Sequence, residues 1–220
     1  METFGIFASA KSAKHERFVS AYKSYFMDFI QSLTEEEARK VFFVIDMLKT
    51  QGRISSKFVK YLRDEIYELR VEHNGNIFRV FFIFDEGNVV MLFNCFQKKT
   101  QKTPQREIDM AIRLKRNIMQ ERNDIMSVDA MMDERFGKVG TPEREAFRKE
   151  AYAYCVGQII REARKREKVT QQELAQRMGT NKSYISRIEK GSVEPGAGMF
   201  LRILGALGLR FEVLQASSCR

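Results

Sequence analysis

The sequence predicts an α+β chain: helices packed on a small antiparallel sheet in the first half, then an all-helical second half closed by a short C-terminal strand. Three observations carry this. From Glu65 to Phe96 the apolar residues recur every second position, and the run is broken at Asn74-Gly75 and at Glu86-Gly87-Asn88, which supply the positive φ of tight hairpins. On either side of that stretch the apolar period is helical. After Gly140 no strand pattern returns until Leu209–Leu214.

In chain order, Phe18, Tyr22, Tyr25, Phe26, Phe29, Ile30 and Leu33 fit one helical stripe, although 17–22 fits an edge strand equally, with the helix then starting near Ser24. Thr34 caps a second helix whose first turn, Glu35-Glu36-Glu37, suits the positive helix start, and Gly52 ends it. Three strands follow, at 65–73, 77–85 and 89–96, as an antiparallel meander. Thr103 and Pro104 then open a helix through Ile108, Ile112 and Ile118 to about Arg122. Residues 123–140 show no period and read as a linker or loosely held arm. The expected domains are therefore 1–122 and 141–220, the second opening on a long helix from Thr141-Pro142-Glu143 that carries Phe147, Ala151, Tyr154, Val156 and Ile160.

With 38 Lys and Arg against 29 Asp and Glu the net charge is +9. Up to Arg122 there are 21 basic and 16 acidic residues, and after it 17 and 13, so both halves are basic, which suits a polyanionic partner for each or equally a solvated basic surface. The apolar share, 44% with 18 Phe, excludes a disordered chain. The longest apolar runs are too short for a membrane helix and the start shows no secretory pattern, so no membrane partner and a cytoplasmic location are expected. Cys95, Cys155 and Cys219 form no C-x-x-C pair, and only His15 and His73 are present; no metal site and no cofactor are expected. His73, at a turn, reads as solvated.

In the second half, Thr170-Gln-Gln-Glu173 is a capping box, Gly179 permits a sharp turn, and a second helix begins at Asn181 with Ile185 and Ile188 buried. This spacing is a helix-turn-helix. The run from Val169 to Gly191 resembles the Xre and Cro type, over about Ile160–Leu209. The resemblance implies that Lys182, Ser183 and Arg187 read bases in the major groove of an operator, while Gln171, Asn181 and Tyr184 hold the backbone. A helix-turn-helix used only for protein contact is the alternative.

In the first half, Glu68, Arg70 and Glu72 share one strand face, and Arg79 lies mid-strand among Phe78, Val80, Phe81 and Phe82, where a cation needs an anionic partner. Lys98 and Lys99 follow the third strand. Together Arg70, Arg79, Lys98 and Lys99 suit a phosphate; equally, the face is laced by Glu68–Arg70 ion pairs with a solvated Lys run beyond. The segments Tyr67-Glu-Leu-Arg-Val71, Ile77-Phe-Arg-Val80 and Phe96-Gln-Lys-Lys-Thr-Gln-Lys-Thr-Pro104 resemble the HigB branch of the RelE and ParE toxin superfamily, over about 17–122. That resemblance implies a ribosome-dependent mRNA endonuclease in which the ribose 2′-OH attacks the adjacent phosphate. Arg79 is then the main transition-state clamp, Arg70 and Lys98 hold the phosphate, and Lys99 holds it or donates a proton. Glu68 is the base or the partner of Arg70. Phe96 and Tyr67 are candidates to stack on a base or are core.

Taken together, the expectation is a HigB-like toxin fused to a HigA-like antitoxin. The second half neutralises the first by direct contact and represses its own promoter as a homodimer, whether the fusion is natural, a lost stop codon or engineered. The rival is a non-enzymatic DNA-binding regulator with a degenerate toxin fold; a gyrase poison of the ParE kind fits the basic segments less well.

Overall fold

Fourteen elements are described in a computed structural model covering residues 17–52, 54–85, 89–98, 104–120 and 124–209. Strand β1 (Phe18–Tyr22) settles the ambiguity at 17–22, and α1 (Tyr25–Gln31) starts after Ser24. β1 runs parallel to β5 rather than lying at an edge. Helix α2 (Glu35–Thr50) is capped as expected: Thr34 Oγ1 accepts from the Glu37 N–H and the Glu37 carboxylate accepts from the Thr34 N–H.

The meander has four strands, β2 (Val59–Arg63), β3 (Ile66–His73), β4 (Asn76–Asp85) and β5 (Val89–Gln97), giving the sheet order β2-β3-β4-β5-β1-β6. β3 and β4 join through Asn74 (φ 47°) and Gly75 (φ 87°). The unforeseen β2 joins β3 through Asp64 and Glu65, also at positive φ (51° and 57°) though neither is glycine. Helix α3 (Gln105–Gln120) follows.

Residues 125–136, expected within a linker, are β6 (Ile125–Ser127), which pairs with β1, and α4 (Val128–Phe136), capped by Ser127. Burial explains the difference. Val128, Met131 and Met132 pack into the core beneath the sheet, and Asp129 accepts from the Val19 N–H and the Lys49 ammonium, so this stretch is fastened from both sides.

Alternation along the strands separates two layers. Leu69, Val71, Phe78, Val80, Phe82 and Leu92 face α1, α2 and α4, whereas Ile66, Phe81, Ile83, Met91 and Phe93 face Ala111, Leu114 and Ile118 of α3. The long helix α5 (Pro142–Arg166) then packs Phe147, Ala151 and Tyr154 into the α2 layer. Its second half supplies Val156, Ile160 and Ala163 to a separate core with α6 (Gln171–Arg177), α7 (Lys182–Glu189) and α8 (Ala197–Ala206). The strand expected from Leu209 lies outside the described residues, apart from Leu209 itself. Among the described residues no helix is long and apolar enough to cross a membrane.

Two glycines make the packing around α5 specific. A Cβ on Gly157 would lie 2.2 Å from the Ile188 carbonyl oxygen, and one on Gly191 (φ 73°) 2.5 Å from Tyr154 Cα. Gly157→Ala is expected to lower stability by about 2–3 kcal/mol through overpacking. Gly205→Ala, in open space on α8, is expected to raise it by up to about 1 kcal/mol. Denaturant titration of both variants checks the contrast.

Candidate nucleic-acid interfaces

The first site forms where β3 and β4 run side by side. Arg70 and Arg79 are direct cross-strand partners, so two guanidiniums would repel unless an anion sat between them. Glu68 is that anion. Its Oε1 lies 3.2 Å from Arg79 Nε and its Oε2 3.5 Å from Arg70 Nε. Arg79 and Glu68 are 2% and 3% exposed, while Arg70 remains one-third exposed (33%) and donates to the Ser56 carbonyl oxygen at 3.4 Å. Arg79 also donates to the Phe78 carbonyl oxygen at 2.9 Å.

Lys98 joins the cluster from the end of β5, its N–H donating to the Ile77 carbonyl oxygen at 2.7 Å. Burial first, and then repulsion from Arg79, hold its ammonium pKa below the ordinary lysine value, with Arg70 and Lys60 adding to the effect and Glu68 opposing it. Arg79 is lowered too, by burial above all and in spite of Glu68. Both shifts favour an added anion, which would return part of the lost stabilisation of each charge. Lys60, register partner of Glu68 on β2, was missed because β2 itself was not foreseen and its faces had no assignment. Lys99 lies outside the described residues.

Other expectations change. Tyr67 stacks on Phe82 (5.5 Å, 24°) in the α2 layer, on the sheet face opposite Arg79, and so does not serve this site. Phe96 stays beside Arg79 but packs edge-on against Phe81 at 5.4 Å. His73 is not solvated: its ring Nε2 sits 3.3 Å from the Glu36 carboxylate with the side chain 12% exposed.

The second site is the helix-turn-helix. Thr170 and Glu173 form the expected capping box, Gly179 (φ 65°) makes the turn, and Asn181 caps α7 by accepting from the Tyr184 N–H at 2.8 Å. Lys182, Ser183 and Arg187 are exposed on α7 while Ile185 and Ile188 are buried. The three residues expected at the DNA backbone are engaged within the fold: Asn181 in its cap, Tyr184 half-buried against the core, and Gln171 donating to Glu189 Oε2 at 2.7 Å. Glu189, 2% exposed, also holds Arg164 through both carboxylate oxygens. This network ties α5, α6 and the end of α7 together, and no spacing in the sequence announced it.

The halves meet along α2 and α5, on the sheet face away from Glu68 and Arg79. Arg39 pairs with Glu150 at 2.9 Å, Phe43 contacts the rings of Phe147 and Tyr154, and the Tyr154 hydroxyl donates to the Glu72 carbonyl oxygen at 2.7 Å. Lys57 bridges Glu72 and Glu162 of α5 at 3.0 and 3.1 Å.

Residues 28–116 match the family described as Phage derived protein Gp49-like (DUF891), and residues 160–214 match the helix-turn-helix family. The chain thus combines a region similar to a phage-derived toxin-type domain with a region similar to an Xre-type helix-turn-helix. A stretch of 54 residues, 24% of the chain, is 43% identical to an uncharacterized HTH-type transcriptional regulator y4dL of Sinorhizobium fredii. The match spans only 28% of that relative's length. The restriction-modification controller protein C.AhdI from Aeromonas hydrophila overlaps 28% of this chain and 88% of its own at 28% identity and a TM-score of 0.27.

Glu68→Gln is expected to destabilise the chain by about 3 kcal/mol, because it leaves buried Arg79 without its countercharge. Denaturant unfolding at neutral pH, with Glu72→Gln as the half-exposed control, measures it.

Proposed function

We propose that this chain is a toxin and its antitoxin in one polypeptide: a ribosome-dependent mRNA endonuclease of the RelE and HigB kind, joined to a HigA-like helix-turn-helix that binds operator DNA as a homodimer. The observation that carries the reading is the convergence of Arg70, Arg79 and Lys98 around one carboxylate at the end of the sheet. On this reading a phosphodiester takes the place of Glu68 on the two guanidiniums. The ribose 2′-OH attacks the phosphorus and gives its proton to the displaced Glu68 carboxylate, the bond to the 5′ oxygen breaks, and Arg79 faces the charge that develops. Lys98, with its proton held less tightly than usual, protonates the leaving oxygen, and a 2′,3′-cyclic phosphate remains. Because α5 packs on the opposite sheet face, restraint of the toxin acts by keeping the joined chain from its ribosomal target rather than by plugging the cluster.

One observation favours a second reading. Arg79 and Glu68 are nearly inaccessible, as a purely structural bridge would be, and the chain is then a non-enzymatic DNA-binding regulator that retains the toxin fold.

A protease site inserted at 138–140 separates the readings, since a cut there leaves β6 and α4 with the sheet. The first segment, separated from the cut second half in denaturant and refolded, should cleave mRNA only in the presence of ribosomes, and Arg79→Ala should slow cleavage about a hundredfold, equivalent to about 3 kcal/mol. Mapping of RNA 5′ ends is the readout; no cleavage by a folded segment leaves the regulator reading standing. For the second half, Lys182→Ala and Arg187→Ala should each weaken binding to an inverted repeat by about 1–3 kcal/mol while sparing weak, salt-sensitive binding. Gel-shift titration against the repeat and a scrambled duplex distinguishes the two kinds of binding.

A further inference from the structure

Helix α3 buries Ala111, Leu114 and Ile118 against the sheet, which at 3.6 residues per turn turns Arg106, Arg113 and Arg116 outward. All three are exposed. Several other cations of this half are met by carboxylates: Lys115 by Glu65, Arg63 by Asp64, Arg39 by Glu150. Among the described residues, Arg106, Arg113 and Arg116 have no such partner. Asp109 stands one turn from both Arg106 and Arg113, at spacings where helical ion pairs ordinarily form, yet its Oδ1 accepts from Gln105 at 2.8 Å instead. Glu107, the other acid of the first turn, is drawn inward, where its carbonyl oxygen and carboxylate accept from Asn94 of β5 at 3.3 and 3.1 Å. That bond also fixes the start of α3 two residues along β5 from Phe96, the cross-strand partner of Arg79.

We propose that the outer face of α3 is a track for the phosphodiester backbone of RNA, leading away from the Arg70, Arg79 and Lys98 cluster. From Arg106 to Arg116 it extends about 15 Å along the helix axis. Arginine suits this use because its planar fork can donate two hydrogen bonds to one phosphate. The inference rests on the reading that the cluster receives RNA, and it adds where the rest of the strand, or the ribosomal RNA beside it, is held.

The test uses the intact chain and two probes: an unstructured RNA oligonucleotide, representing message, and protein-free ribosomal RNA. For single strands each neutralised phosphate contributes about 0.7 to the slope of log affinity against log salt. Arg106→Gln/Arg113→Gln/Arg116→Gln should therefore lower that slope by about 2 and cut the salt effect between 50 and 200 mM roughly 15-fold. Asp109→Asn, which removes the one carboxylate on the track, should act oppositely and tighten binding several-fold, so the result does not hang on the folding of a triple variant. Loss confined to the ribosomal RNA assigns the track to it, and loss with the oligonucleotide assigns the track to the message. Unchanged binding of both probes by both variants overturns the proposal, as does loss of RNA binding on Lys182→Ala/Arg187→Ala alone. Absence of cleavage by the separated first segment in 5′-end mapping, with the slope still lowered in the triple variant of the intact chain, would overturn the nuclease reading and leave the track in place.

Discussion

One helix serves two cores, and the arrangement of the whole chain depends on it. At 100° per residue, Phe147, Ala151 and Tyr154 lie on one side of α5, while Val156, Ile160 and Ala163 lie on the other. The first set closes the α2 layer of the sheet domain, and the second is a wall of the helix-turn-helix core. Neither core is complete without it. A Phe or Tyr buried to this degree contributes several kcal/mol, judged by the usual cost of truncating such a side chain to Ala, so α5 is held to both neighbours by energies comparable with the stability of a small domain.

The Glu68–Arg79 pair stands in a different relation to stability. Taking both charges out of water costs about as much as their attraction returns, so a well-packed apolar pair at these positions would hold the strands as well or better. What the apolar pair would not provide is a guanidinium fixed in position, as the proposed exchange of Glu68 for a phosphodiester requires. Arg70 and Lys98 have the same character: they are adjacent, partly desolvated cations, and the folded chain bears the cost of gathering them. A cluster that is costly in the resting state and relieved by an added anion has the physical character that the proposed phosphate site requires.

Much of this was legible in the sequence. The capping boxes at Thr34 and Thr170, the Asn74-Gly75 turn and the whole helix-turn-helix depend on residues within four positions of one another, and local chemistry writes them plainly. What escaped depends on distant partners. β2 was missed because its turn uses Asp64 and Glu65 at positive φ where a glycine would have marked it, and because an edge strand with exposed Lys60 and Tyr61 shows little alternation. β6 and α4 were missed because their burial is set by β1 and α2, eighty residues or more earlier. Arg79 was recognised as a buried cation in need of an anion, but that Glu68 meets it, and that Tyr67 faces the other way from Phe96, follows only from the registers of β3 against β4 and of β4 against β5.

The same contacts decide how the halves can part. A flexible tether would let the second half leave and return at an effective concentration set by its length. This chain has no such freedom at 125–136, which is strand and helix. The helix that follows is fastened at both ends. Arg144, fully buried, reaches the Gly137 carbonyl oxygen and the carboxylates of Asp133 and Asp46, while further along α5 the close approach of Gly157 to Ile188 leaves no room for even a methyl group. A glycine inside a helix is usually a weakness of about 1 kcal/mol. Here it allows α7 to seat directly on the helix that the sheet domain also uses. Separation of the two halves is therefore not the extension of a linker but the opening of a core, and the barrier to it is one of unfolding.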